Sequence, residues 1–194
     1  NFNGSDGANP FAGLVAVGSD LYGTTAQGGS GSGGYGTVYK LAGGTTFSTV
    51  ISFAGPCEDG CYPGFGSSLV EVGNYLYGTT ASGGSGGAGI VFKVHKTTGA
   101  RTAVYSFNSN CANGCYPYGQ LLQVGTDLYG TTIQGGSGGY GTVYKIDAIG
   151  NLTTLHSFNY SDGASPYGGL LQVGTDLYGT TNFGGSGGSG TVFK

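Results

Sequence analysis

The chain has 194 residues, of which 45 are glycine and only 8% are charged, and its formal net charge is −3. So much glycine disfavours helices, because each interior glycine costs about 1 kcal/mol relative to alanine. Six lysine and arginine residues are too few to neutralise a run of phosphates, so nucleic acid is not an expected partner. No apolar run approaches the roughly 20 residues that a membrane helix needs, so no membrane span is expected.

The apolar residues are mainly valine, leucine, isoleucine, tyrosine and phenylalanine, which suit a pleated sheet. We therefore expect an all-β fold with glycine-rich turns. The sequence starts at Asn1 with neither a methionine nor a secretory leader, so we expect a processed chain or part of a longer one.

One motif, LYGTT, occurs four times, starting at Leu21, Leu76, Leu128 and Leu177. Each copy is followed by a glycine-rich segment and then by TVYK, IVFK, TVYK or TVFK. Self-similarity with a period of about 50 residues indicates repeats of one structural unit. We expect a single repeat domain over 1–194, with repeats at about 1–53, 54–107, 108–158 and 159–194, the last of them incomplete.

Each complete repeat offers four strands, and the third repeat shows them in chain order. Its apolar, β-prone segments are 121–124, 127–132, 142–146 and 153–158. Turn residues separate them, and these connections are short. The strands should therefore form an antiparallel meander.

Alternation along the third strand places apolar side chains on both faces of the sheet. Tyr144 and Ile146 point one way, whereas Val143 and Lys145 point the other. A sheet that is apolar on both faces must be covered on both faces. The pattern therefore predicts a β-propeller-like stack of four four-stranded antiparallel blades, either complete or part of a longer array.

The string LLQVGTDLYGTT, followed by GGSGGYGTVYKI, is similar to the GloVer tandem repeat of secreted and surface proteins of bacteria. The resemblance covers essentially all 194 residues and implies a propeller-like fold, export and often anchoring at the cell surface. Repeat two departs from the pattern, because Asn74-Tyr75 replaces Thr-Asp or Ser-Asp and Ile90 replaces the threonine of GTV.

Four cysteines form two pairs at the same position of two repeats, Cys57 with Cys61 and Cys111 with Cys115. Two local disulfides are the simplest interpretation, and they predict an oxidising, extracellular or cell-surface location. The alternative is a four-cysteine zinc site, which requires the two loops to meet in space.

The charged residues and the glycine loops give no sign of catalysis. The GGSG loops lack the lysine of a phosphate-binding P-loop, so we interpret them as hairpin connections. His95 and His156 have no nucleophile or carboxylate at a recognisable motif spacing. Asp6 and Asp162 lie in SDGA loops, where turn formation is favoured over calcium binding.

A lysine lies near the end of the third strand in every repeat, at Lys40, Lys93, Lys145 and Lys194. A ring of ligand-facing lysines is one interpretation. Pairing with the aspartate that starts the second strand is favoured, and that aspartate is absent from repeat two.

Aromatic residues in the loops are candidates for ligand or subunit contacts. They are Tyr35, Tyr62, Tyr116, Tyr118, Tyr140, Tyr167 and Phe183, with Phe11 and Phe65 in the same regions. The alternative is that these rings close the edges of the core. Candidate N-glycosylation sites are Asn3, Asn151 and Asn159, each of which begins an N-x-S/T sequon.

These features favour an extracellular structural repeat protein that self-associates into a surface layer, stalk or filament. We expect no catalysis, no cofactor and no metal. The alternative is a propeller-type binding module that recognises glycans or a protein partner through its loops.

Overall fold

The computed structural model describes residues 1–65 and 67–194, which fold into four antiparallel sheets, one for each repeat. The first sheet contains, in spatial order, β1 (Val15–Val17), β2 (Asp20–Thr25), β3 (Thr37–Ala42) and β4 (Thr46–Ser52). The third sheet has the same order, with β10 (Leu122–Val124), β11 (Asp127–Thr132), β12 (Thr142–Ile146) and β13 (Leu152–Ser157). The all-β meander expected from the sequence is confirmed.

The second and fourth sheets depart from the expected four strands. The second contains β6 (Val70–Val72), β7 (Tyr75–Ser82), β8 (Gly87–His95) and β9 (Arg101–Asn108), and a fifth strand, β5 (Cys61–Pro63), pairs with the far end of β7. In the other repeats the corresponding pairing is a single bridge, such as Cys115 with Gln134. The fourth sheet has three strands, β14 (Leu171–Val173), β15 (Asp176–Thr181) and β16 (Thr191–Phe193).

The LYGTT glycine lies beneath an aromatic ring of the neighbouring strand. A Cβ atom on Gly130 would lie 2.5 Å from the Tyr144 hydroxyl, and one on Gly179 would lie 2.3 Å from the ring of Phe193. Only glycine leaves room for the ring to lie flat across the strand. This packing explains why the third strand of every repeat carries a tyrosine or phenylalanine opposite the LYGTT glycine.

The sheets stack face to face, and the core lies between them. One cluster joins the first and second sheets, the next joins the second and third, and the last joins the third and fourth. Strand β6 also contacts both β1 and β10, so the sheets fan out from the edge formed by their first strands, as in a propeller. We call the face that packs on the preceding sheet the leading face and the opposite one the trailing face.

Candidate functional site

Two kinds of loop lie at the same end of the sheets, because neighbouring strands run in opposite directions. They are the glycine-rich connections between the second and third strands and the segments that lead from one sheet to the next. We call this end the loop end. The interpretation of the GGSG segments as hairpin connections is confirmed, since they join antiparallel partners such as β11 and β12.

Buried threonines hold the glycine loops closed. The Thr132 hydroxyl accepts a hydrogen bond from the Thr142 N–H at 3.1 Å and lies 2.8 Å from the Thr142 hydroxyl. Thr25 with Thr37 and Thr181 with Thr191 repeat this arrangement. In repeat two, the Thr80 hydroxyl accepts the backbone N–H of Ile90, which replaces the second threonine. The Ile90 side chain has no hydroxyl and is buried. The sequence revealed these threonines as a motif but not their bonds.

The segment between sheets is held by backbone hydrogen bonds at a residue with positive φ. Tyr116, with φ of 59°, donates its N–H to the Ala88 carbonyl in the preceding repeat and accepts the Ile133 N–H in its own. The residue before proline adopts the same conformation in all four repeats, at Asn9, Tyr62, Tyr116 and Ser165. Neighbouring repeats are therefore joined directly at the loop end.

Four aromatic rings, one from each repeat, form a continuous row at the loop end. Consecutive ring centroids lie 5.6 Å apart for Phe11 and Phe65, 6.0 Å for Phe65 and Tyr118, and 5.7 Å for Tyr118 and Tyr167. Phe11, Phe65 and Tyr167 are exposed, and Tyr118 is half-buried. We call these four residues the aromatic row.

The other loop aromatics have different surroundings. Tyr62 contacts both Tyr35 and Phe65, so it joins a glycine loop to the row. The Tyr140 ring packs on Tyr160 and not on a ring of the row, and 44% of Tyr140 is exposed. Tyr116 packs against the core between the second and third sheets, and Phe183 is exposed on the fourth repeat. Tyr116 therefore closes an edge of the core, as the alternative interpretation expects, whereas a ligand or subunit contact stays a prediction for the exposed rings.

The cysteines pair within their own loops. Cys57 and Cys61 are bonded through their sulfur atoms with Cα atoms 5.3 Å apart, and Cys111 and Cys115 are bonded with Cα atoms 5.1 Å apart. This geometry fits two local disulfides.

Three of the four repeated lysines pair with aspartate, as their spacing predicts. The Nζ–Oδ2 distances are 2.6 Å for Lys40 and Asp20, 3.1 Å for Lys145 and Asp127, and 2.8 Å for Lys194 and Asp176. The bond to Lys40 lowers the pKa of Asp20, and the bond to Asp127 raises the pKa of Lys145. Such exposed pairs contribute little to stability.

Lys93 has an aromatic partner in place of an aspartate. Its Nζ lies 5.0 Å from the ring centroid of Tyr75, the residue that replaces the aspartate in repeat two. A cation over a tyrosine ring is electrostatically favourable. All four lysines therefore have a partner on the second strand of their own sheet, which argues against a ring of free, ligand-facing amines.

The sequence did not reveal that His156 faces a carboxylate. Its Nε2 lies 3.0 Å from Asp162 Oδ2, and both residues line a groove between the third and fourth sheets. The partner was missed because the Asp162 loop folds back through hydrogen bonds with Asn159. Within the part of the chain that the structure describes, no serine, threonine or cysteine side chain is hydrogen-bonded to His156.

The three sequon asparagines are exposed, but each also forms local bonds. Asn3 and Asn159 accept backbone N–H groups of the following turn, to which Asp6 and Asp162 also contribute. The turn-forming role expected for the two aspartates is thus present. Asn151 donates its side-chain amide to Asp147 at 3.0 Å, and its hydrogen bonds lower the pKa of Asp147.

The two outermost sheet faces lack the cover that the inner ones have. On the trailing faces, Val38, Val91 and Val143 are 0%, 0% and 7% exposed, whereas the equivalent Val192 of the fourth sheet is 76% exposed. On the leading faces, Leu14 of the first sheet is 50% exposed, and its equivalents Leu69, Leu121 and Leu170 are buried. The described residues thus form an open stack with two unsatisfied apolar faces.

The repeat motif and its threonine bonds can now be compared with known families. Residues 1–193 match the model of the Gloeobacter/Verrucomicrobia repeat. The chain belongs to this family. The GloVer resemblance inferred from the sequence is therefore confirmed. No curated protein matches the chain.

Several solved structures are similar at low identity. TolB from Acinetobacter baumannii is 16% identical with a TM-score of 0.49, over 98% of this chain and 43% of TolB. GH43B of the xyloglucan PUL of Bacteroides ovatus is 17% identical with a TM-score of 0.49, over 96% of this chain and 38% of that protein. The tricorn protease is 12% identical with a TM-score of 0.48, over 74% of this chain and 12% of the protease. The repeat chain thus spans less than half the length of each of these three proteins.

Across residues 1–65 and 67–194, no helix has the length and apolarity required to cross a bilayer.

Proposed function

We propose that the chain is an extracellular structural repeat protein that assembles by stacking the fourth sheet of one copy on the first sheet of the next. The observation that carries this proposal is the exposure of Val192, whose three equivalents are covered by a following sheet. Burying apolar area of this kind stabilises an interface by roughly 25 cal/mol per Å². The free trailing face has the same chemistry as the faces that already stack inside the molecule.

On the leading face of the first sheet, one aromatic ring already occupies a position that a preceding sheet would fill. The Phe2 ring lies 5.0 Å from Tyr39, edge to face, as Phe158 lies 5.0 Å from Phe193 between the third and fourth repeats. Phe2 therefore holds the position that the last phenylalanine of a preceding fourth strand holds elsewhere. A second copy would add the three strands of its fourth sheet next to Phe2.

The extracellular location rests on the two cysteine pairs, because disulfides persist in oxidising compartments. The structural role rests on the interface itself. It joins two different faces, so it is head-to-tail and generates either a closed ring or an open filament.

The test uses Val192→Asp, which places an unpaired carboxylate in the proposed interface at a cost of several kcal/mol. The control is Ile149→Asp, because Ile149 is 85% exposed on a turn and lies on neither outer face. Sedimentation velocity should show assembly for the wild type and for the control, and a monomer for Val192→Asp. The wild type should be studied up to about 1 mM, where an association of only about 4 kcal/mol is half complete.

A second variant tests the polarity of the interface. Leu14→Asp blocks the leading face, so each of the two variants alone should remain monomeric. Their mixture retains one complementary pair of faces and should form a dimer that does not grow. A monomeric wild type, or a mixture that fails to pair, would overturn the proposal. A closed ring seen by negative-stain microscopy would support the stacking and refute a filament.

A further inference from the structure

We propose that the aromatic row binds a neutral oligosaccharide along the loop end, a function separate from assembly. The row contains one ring from each repeat in steps of 5.6 to 6.0 Å. Equal steps of about the size of one sugar ring suit a ligand that is itself a chain of similar rings. Phe11 and Tyr167, at the two ends of the row, are exposed.

The chemistry around the row favours an uncharged ligand. The four segments that carry the rings, 8–19, 61–70, 115–126 and 163–175, contain no charged residue. They offer hydroxyl and amide groups instead, including Ser68, the exposed Gln120 and the hydroxyls of Tyr118 and Tyr167. Apolar ring faces combined with neutral hydrogen-bonding groups match a sugar, which has C–H faces and a rim of hydroxyls.

Small residues keep the row accessible. Gly168 and Gly169 follow Tyr167 and are exposed, and Ala12 and Gly13 follow Phe11. Glycine next to a ring leaves its face open and lets a ligand approach the backbone. Burial raises the pKa of Tyr118, so its hydroxyl remains a neutral donor and acceptor over the physiological range.

The row is not flat, and its shape limits the ligand. The angle between adjacent ring planes rises from 27° for Phe11 and Phe65 to 55° and then 74° for Tyr118 and Tyr167. A ligand that contacts all four rings must therefore turn along its length. This favours a soluble, flexible glycan chain over the surface of a crystalline polymer.

The experiment is titration calorimetry with neutral hexasaccharides of glucose (β-1,4 and β-1,3), xylose, mannose and galactose. At least one of them should bind the wild type, and its disaccharide should bind about tenfold more weakly because it reaches fewer rings. Tyr167→Ala should weaken binding about fivefold or more, the range expected for one aromatic contact. Phe11→Ala should weaken binding from the other end of the row.

Tyr140→Ala is the matched control, because Tyr140 is 44% exposed and Tyr167 is 46% exposed, yet only Tyr167 lies in the row. The control should bind within twofold of the wild type, and thermal melts should show that all variants fold. The proposal fails if no hexasaccharide binds at millimolar concentration, or if the control loses as much affinity as Tyr167→Ala. It also fails if a decaproline peptide binds and the sugars do not, or if Tyr167→Ala abolishes assembly without affecting sugar binding.

Discussion

Replacement of Tyr144 by phenylalanine should stabilise the protein, although the tyrosine is completely buried. Within the described residues, its hydroxyl has no hydrogen-bond partner. A buried polar group without a partner costs about 1–3 kcal/mol. Phe92 and Phe193 hold the equivalent positions in the second and fourth sheets, so the site accepts the smaller ring. Allowing for the small gap left over Gly130, we expect a gain of about 1 kcal/mol at neutral pH.

The pH dependence gives a second, independent measure of the same substitution. Burial raises the pKa of Tyr144, so the folded state keeps the phenol neutral while the unfolded chain ionises near pH 10. This ionisation therefore leaves stability unchanged below that pH and lowers it as the pH rises further. The free energy of unfolding should fall by about 1.4 kcal/mol per pH unit for this one group.

Urea denaturation between pH 7 and pH 11, followed by circular dichroism, measures both effects. Other tyrosines with a raised pKa, Tyr39, Tyr77 and Tyr118, are present in both proteins and cancel in the difference. The advantage of the phenylalanine variant should therefore grow above pH 10. A variant less stable than the wild type by more than 1 kcal/mol at pH 7, or two parallel pH profiles, would refute the reasoning.

Further stability predictions use the same denaturation assay. Gly130→Ala forces a methyl group against the covering ring and should cost about 2–3 kcal/mol, whereas Gly125→Ala, with φ of 61° and open space around it, should cost only about 1 kcal/mol. Equal losses would argue against the ring-over-glycine packing. Thr132→Val leaves a buried N–H without an acceptor and should cost about 1–3 kcal/mol, and a neutral result would contradict the role of the threonine bonds. Replacing Cys111 and Cys115 by serine should lower the free energy of unfolding by about 2 kcal/mol, the value for a five-residue loop. If neither replacement nor reduction lowers it, the disulfide is absent or contributes no stability.

Much of the fold was predictable because the repeat places the same pattern in four contexts. The third-repeat strands expected at 127–132 and 142–146 have those bounds in the structure, and the other two shift by one residue. Alternation also placed Val143 and Tyr144 on opposite faces, and both are buried. Local pattern fixes a strand and its faces, since both depend on residues that are adjacent in the chain.

Features that depend on the path of the chain between sheets were not predictable. The contact between His156 and Asp162 requires the Asn159 turn, and β5 requires the cysteine loop to reach the end of β7. The aromatic row was predicted only as a set of loop residues. The contacts between these rings depend on the distance between neighbouring sheets at the edge formed by their first strands. The spacing of residues in the sequence does not determine that distance.

The backbone hydrogen bonds between repeats at the loop end affect how the molecule unfolds. The Tyr116 N–H donates to the Ala88 carbonyl in the preceding repeat, and the Ser165 N–H donates to the Tyr140 carbonyl in the same way, so each of these units is bonded directly to the one before it. The chain then behaves as a one-dimensional array whose cohesion grows with every unit added. Amide hydrogens of the second and third units, whose sheets are covered on both faces, should exchange with solvent more slowly than those of the first and fourth.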